Sequence, residues 1–219
     1  MRNLLLVLLF IGLQSSTALA KSSPLVVNID NPNFRKLIVA VPNFVVDENG
    51  DDELRKLAKD GATQLSRLLN FSGLFNIIGE AAYKDLIKSG FKAEGKSVGA
   101  KKGLEGINHL QWKGIGVESL TIGEIKRESG SFTVLLRTVD ICRGKLVVGK
   151  RFVKVKARDF PKAIRRYADR LLEAYTGKPG IFSSKLVFIG RKNKQMFKQV
   201  FVCDFDGSNV IQITNGRYP

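Results

Sequence analysis

The chain has 219 residues, is 44% hydrophobic and carries 36 Lys and Arg against 20 Asp and Glu, a formal net charge of +16. That apolar content excludes a disordered chain and supplies one well-cored domain plus part of another. A single histidine, and two cysteines that do not stand at zinc spacing, exclude a His-based metal site and leave almost no material for a nucleophile-and-base pair.

Met1, Arg2 and Asn3 precede the unbroken apolar run Leu4 to Leu13, the polar patch Gln14 to Thr17, and then Ala18, Leu19 and Ala20. A positive start, an apolar centre and small residues before the cut make a secretory signal peptide over residues 1–20, with cleavage expected after Ala20. A membrane span needs about 20 apolar residues, and this run meets Gln14 too soon. No cysteine stands at the cut to carry a lipid; the first is Cys142. The mature chain is therefore expected to be exported and soluble. Export removes most of the nucleic-acid reading of the charge. Anionic envelope components, acidic partner proteins or a merely solvated surface remain.

Pro24 to Asp30 is a short β-rich piece set off by Pro24 and by Asn31-Pro32, an isolated strand or a detachable arm. Lys36 to Phe44 is a nearly continuous apolar run, as expected of a strand covered on both faces. Asp51 to Asn70 follows a helical period, with Leu54, Leu57, Ala58, Leu65, Leu68 and Leu69 on one stripe. Leu74 to Ile78 reads as a short strand and Glu80 to Ser89 as a second helix. Phe91 to Gly103, rich in glycine and lysine, reads as a surface loop. Glu105 to Lys113 makes a short third helix around Ile107, Leu110 and Trp112, with His109 half-buried in it.

Val117 to Ile125, Ser131 to Ile141 and Leu146 to Lys156 are separated by turn-like segments and form an antiparallel meander. In the last of these, Lys150, Lys154 and Lys156 alternate with Arg151, Val153 and Val155, which predicts one wet face. Asp159 to Tyr175 is the clearest helix, with Pro161 in its first turn, Ile164, Tyr167, Ala168, Leu171, Leu172 and Tyr175 on one face, and Gly177 as terminator. Its outer face, Lys162, Arg165, Arg166 and Arg170, reads as solvated. Beyond Pro179-Gly180 the grammar is pure β: Lys185 to Gly190, Gln199 to Asp204 and Val210 to Thr214. Val187, Ile189, Phe201 and Ile211 are expected to be short of packing partners there. Both cysteines read as small buried side chains without a disulfide. Asp204-Phe205-Asp206-Gly207 lacks the further oxygen ligands of a calcium loop and reads as a hairpin turn. No phosphate loop and no catalytic constellation emerge, so an enzyme is not expected, nor a cofactor or metal.

Several segments together carry a family resemblance. Tyr175-Thr176-Gly177 leading to Ser184-Lys185-Leu186-Val187-Phe188-Ile189 resembles the junction between helix and propeller in the TolB family of the Tol-Pal envelope system. Tyr175 stands where the family often has leucine, and Lys185 where it often has arginine. Asp204-Phe205-Asp206-Gly207-Ser208-Asn209, followed by Ile213-Thr214, is similar to the family's blade signature. Ile38 to Phe44 resembles its Ile-x-Val-x-Pro-Phe strand, with Asn43 intervening, and Phe71 to Asn76 its Ser-Gly-x-Phe step.

The resemblance implies an α/β domain, residues 21–178, in which a mixed sheet is flanked by helices, then the start of a β-propeller at 179–219 with one blade only. Residues 24–34 would form a partner-binding arm, with Leu25, Val26, Val27, Ile29 and Asp30 where the family's TolA-binding segment lies. The same residues could instead be an edge strand of the first domain. The family's propeller binds the lipoprotein Pal, so a monomeric periplasmic adaptor is implied, tied to outer-membrane integrity and constriction at division. Two other functions stand against it. One is a stand-alone basic module holding anionic envelope glycans or lipids, and the other a hydrolase whose site lies on a propeller this chain lacks.

Overall fold

Asp51 opens the first helix because its carboxylate accepts the N–H of Leu54 at 2.9 Å, satisfying a donor that has no partner within the helix. The computed structural model describes residues 35–46, 50–88, 107–128, 130–193 and 197–216. Helix α1 (Asp52–Phe71) buries Leu54, Ala58, Leu65, Leu68 and Leu69, the stripe the sequence predicts, with Leu57 at its half-buried margin. The signal peptide, the arm residues and the Phe91 to Gly103 loop all lie outside the described residues.

One sheet holds β1 (Leu37–Ala40), β2 (Val45–Val46), β3 (Phe75–Ile77), β4 (Ser119–Glu128), β5 (Ser131–Asp140) and β6 (Lys145–Val155), in the order β3-β1-β4-β5-β6, with β2 also against β4. β1 is parallel to β3 and to β4, while β4, β5 and β6 form the antiparallel meander. The fold is thus a mixed sheet flanked by helices.

The predicted single strand Lys36 to Phe44 is broken in the structure. Pro42 has no N–H for a ladder, and Phe44 turns inward to 4% exposure between two glycines. A Cβ on Gly123 of β4 would stand 2.2 Å from the Phe44 ring, and one on Gly61 of α1 2.6 Å from it. Backbone from a helix and a strand therefore clamps this ring directly.

Helix α1 covers one face of the sheet beside a C-terminal helix. Two short helices, α2 (Lys84–Lys88) and α3 (His109–Gly114), cover part of the other face. The second helix predicted over Glu80 to Ser89 splits into a 3₁₀ turn, Glu80–Ala82, and α2. Tyr83 stands between them, 4% exposed with its ring 5.6 Å from that of Trp112. Burial pushes its hydroxyl up to about 12. Leu110, expected within the third helix's apolar set, is 82% exposed, because a helix this short buries only Trp112.

Helix α4 (Phe160–Thr176) ends at Gly177 in the left-handed region, φ 70°, whose N–H reaches the Glu173 carbonyl at 2.8 Å. Leu171 and Ile164 are fully buried on its inner face. Hydroxyls join it to the sheet. Tyr167 meets Thr138 at 2.7 Å, Thr138 meets Thr121 at 2.8 Å, and Tyr175 meets Ser119 at 2.7 Å. Satisfied networks of this kind fix which turn of the helix sits over which strand. Burial pushes the Tyr167 hydroxyl above the usual tyrosine range, and that of Tyr175 up to about 12.

The single wet face predicted for β6 does not survive its register. Val134 pairs with Phe152 and Phe132 with Val155, so Val153 and Lys154 together oppose one residue, Thr133. Lys154 takes φ 54°, a left-handed conformation that costs a side-chain-bearing residue roughly 1–2 kcal/mol. Lys150, opposite Leu136, shares the face of α4, while Lys154 and Lys156, beyond the bulge, share the opposite face.

The second sheet holds β7 (Lys185–Gly190), β8 (Gln199–Asp204) and β9 (Ile211–Gln212), antiparallel in that order. Val187, Ile189 and Ile211 are exposed, as the sequence predicts. Phe201 is not. It is 6% exposed and stacks on Phe188 at 5.4 Å between centroids. Phe182, just before β7, is fully buried in the main core of the first sheet. Among the described residues, no helix is long and apolar enough to cross a membrane.

Candidate functional site

The residues predicted to bind a partner, Leu25, Val26, Val27, Ile29 and Asp30, lie outside the described residues, and the structure does not bring them to any site. Their attachment point is described. Arg35 donates from both terminal nitrogens to Glu118, at 3.0 and 2.5 Å, and Glu118 also accepts the Ile38 N–H at 3.1 Å. The chain therefore enters β1 beside the start of β4. Four residues separate Asp30 from Arg35, so the five steps between them reach roughly 17 Å when fully extended.

A cleft of about 520 Å³ lies where the two sheets meet. Asp60, Gln64, Arg67 and Phe71 of α1 form one wall, Pro161 and Arg165 of α4 the other, and Phe205 with Asp206 closes the end. The walls are held apart at a fixed spacing by the Gln64 amide, which donates to the Pro161 carbonyl at 3.2 Å. Phe205 packs edge-on to Phe71 at 5.8 Å and to Phe182 at 5.4 Å, a chain of rings joining α1, the connecting segment and the β8–β9 turn.

Polar contacts fix the same junction. Asp169 of α4 accepts the N–H of Phe182 at 2.7 Å and that of Ser183 at 3.0 Å. Gly180 passes so close that a Cβ there would lie 2.3 Å from the Asp169 Cα. Asp204 is 3% exposed. Lys185 donates to one of its oxygens, Asn209 to the other at 2.6 Å, and Arg165 stands 3.3 Å from it. Lys185 first, then Asn209, hold the Asp204 carboxyl below the usual carboxylate range.

The Asp204 to Gly207 segment is the predicted turn. Gly207 sits at φ 79° and donates to the Asp204 carbonyl at 2.9 Å, and Asp206 accepts the Ser208 N–H at 3.1 Å. Arg165, expected on the solvated face of α4, is only 17% exposed and is engaged by Asp204. Cys142, expected to be buried, lies exposed at the β5–β6 turn, while Cys203 is buried; both are free. His109 is half-buried, with Nδ1 3.3 Å from the Ile141 carbonyl. Sequence reasoning missed the junction residues Asp169, Phe182 and Phe205.

The cleft lining contains no histidine, cysteine or lysine.

A model of the TolB amino-terminal domain matches residues 25–147, more than half of the chain. The chain belongs to the TolB family. A protein named Tol-Pal system protein TolB from Desulfosudis oleivorans is 33% identical over 188 residues, covering 86% of this chain and 40% of that one. Its counterpart from Ruegeria sp. is 28% identical over 199 residues, covering 90% and 41%. The crystal structure of TolB from Acinetobacter baumannii shares the fold, with a TM-score of 0.58 at 19% identity, covering 84% of this chain and 40% of that one. The chain thus spans about 40% of the length of these relatives. Among the described residues of this TolB-family chain, no group of three His, Cys, Asp or Glu could hold a metal ion.

Proposed function

We propose that this chain is a periplasmic, non-enzymatic component of the Tol-Pal envelope system, exported by a signal peptide at 1–20 and acting as an adaptor. In this reading residues 21–178 form the amino-terminal domain and 179–219 the first blade of a propeller. The match to the TolB amino-terminal domain carries the reading: it begins at Leu25, so the arm belongs to the matched stretch. Leu25, Val26, Val27, Ile29 and Asp30 add as a strand to a TolA-like protein, with backbone hydrogen bonds supplying much of the affinity and alternate side chains facing opposite sides. Anchorage at Arg35 supports this, because a tether fixed to a rigid sheet presents the arm at a constant place. Pal is engaged through the propeller. The four exposed apolar residues of β7, Leu186 to Ile189, support a blade made to pack against others.

The test is to delete residues 21–31 and titrate the cognate TolA carboxy-terminal domain by calorimetry. The parent chain binds and the deletion abolishes the heat of binding. Equal affinity in both removes the arm from the mechanism.

A further inference from the structure

The positive charge of this protein is not spread evenly. Residues 143–166 carry ten Lys and Arg and one acidic residue, Asp159, whereas residues 51–70 carry four of each sign. Three of the ten are engaged: Arg143 stands 3.8 Å from Asp140, Arg158 3.6 Å from Asp159 and Arg165 3.3 Å from Asp204. The other seven include Lys150, Arg151, Lys154, Lys156, Lys162 and Arg166, all exposed and all without an ion pair among the described residues. Four of these six fall within the last turns of ladder and the exit of β6, the open edge of the sheet.

We propose that the stretch of β6 turned away from α4, carrying Arg151, Val153, Lys154 and Lys156, forms a contact surface for an anionic membrane, adsorbing onto phospholipid headgroups. A row of lysines on an edge strand has another use, since it discourages pairing with a second chain. That use does not require a lysine at position 154. At φ 54° glycine or asparagine would sit with less strain, yet the bulge carries a charged side chain into solvent.

The form of the surface selects the partner. Only Arg165 of the ten lines the cleft, and the free cations of β6 are exposed on the end strand of the sheet. Lysine presents a point charge on a flexible stem, suited to a layer of headgroups with no fixed geometry. Val153, 58% exposed among these cations, adds an apolar contact that a lipid interface accepts.

The experiment is co-sedimentation of the purified chain with phosphatidylcholine vesicles, with and without a phosphatidylglycerol fraction, at low and high salt. The parent binds only the anionic vesicles and is released by salt. Each cation near such a surface is worth about fivefold in partition, so neutralising Arg151, Lys154 and Lys156 to Gln together lowers it on the order of a hundredfold. Lys154→Gly lowers it about fivefold while leaving the thermal midpoint unchanged or raised, since the strain is relieved; this variant tests the idea even where the triple one folds poorly. The control neutralises Arg55, Lys56 and Lys59 to Gln, an equal charge change on α1, and leaves binding near the parent level. A fall in the control equal to that of the β6 variant overturns the proposal in favour of bulk charge. So does a parent that ignores anionic vesicles but is retained by a polynucleotide or an acidic protein. None of these outcomes touches the TolA titration, which reads a different segment.

Discussion

Strand β7 runs Leu186-Val187-Phe188-Ile189 without a polar residue, and each of the four is between 42 and 70% exposed. Strand β4 runs Ser119-Leu120-Thr121-Ile122-Gly123-Glu124-Ile125, with four residues that are not hydrophobic, and all seven are buried. Burial in this protein follows what the fold lays over a strand. β4 has β1 and β2 on one side, β5 on the other, and helices over its faces. β7 has β8 on one side and no described strand on the other. The second sheet is nevertheless not adrift. Its inner side chains Phe201 and Cys203 are buried, and Asp169, Asp204 and the Phe71, Phe205, Phe182 ring chain pin it to the first.

The sharpest test of this contrast is Leu171→Ala. Leu171 is fully buried under α4, and the substitution should cost roughly 2–5 kcal/mol of unfolding free energy in urea, the lost transfer energy plus the cavity left behind. A loss below about 0.5 kcal/mol, typical of a surface site, would place the helix on the wrong face. Next comes Gly123→Ala. Its added methyl would lie 2.2 Å from the Phe44 ring, and overpacking of this kind should cost about 1–3 kcal/mol. Adding Phe44→Leu should return part of that stability, since the smaller side chain makes room; strict additivity of the two changes would break the proposed clamp.

The junction is tested by Asp204→Asn. The carboxylate accepts from Lys185 and Asn209 and faces Arg165, so its neutralisation should cost about 1.5–3 kcal/mol at neutral pH, the range for hydrogen bonds to a charged group. The sign of the pH dependence follows from the lowered folded pKa. The contribution is complete above the unfolded carboxyl value of about 3.9 and is lost as pH falls through the folded one. The gap in urea midpoint between parent and variant should therefore shrink on acidification below about pH 4. A gap that stays constant into strong acid would show that the charge of Asp204 is not what holds the sheets together.

Much of the first sheet's architecture was legible because its signals are local. Helical periodicity marks α1 and α4, Gly177 marks a helix end, and the turns between β4, β5 and β6 mark a meander. The errors fall where a distant residue decides. Nothing near Arg165 announces Asp204, 39 residues further on, so a paired cation read as a solvated one. Nothing in Lys36 to Phe44 announces that Gly61 and Gly123 leave a slot for Phe44. The β6 alternation failed at Val153-Lys154 because a bulge flips every side chain after it, and bulges have no fixed composition. The arm was legible only through a family likeness, since its own residues say no more than that it is extended and apolar.

The smallest expected effect belongs to Ile189→Ala. Ile189 is 70% exposed on β7, so removing its outer carbons deletes little buried surface, and the cost should stay within about 0.5 kcal/mol. The result is informative because the residue looks like core by composition. If the same change costs more than about 1 kcal/mol, as burial of comparable side chains does, then something covers β7 in solution. The concentration dependence of the urea midpoint separates the two ways this can happen. A midpoint that rises with protein concentration means that a second copy packs on the strand, because mass action links stability to association. A midpoint that does not move means that the chain covers β7 itself. In either case the contrast between β4 and β7 would shrink, and with it the support that exposed β7 lends to a blade awaiting neighbours.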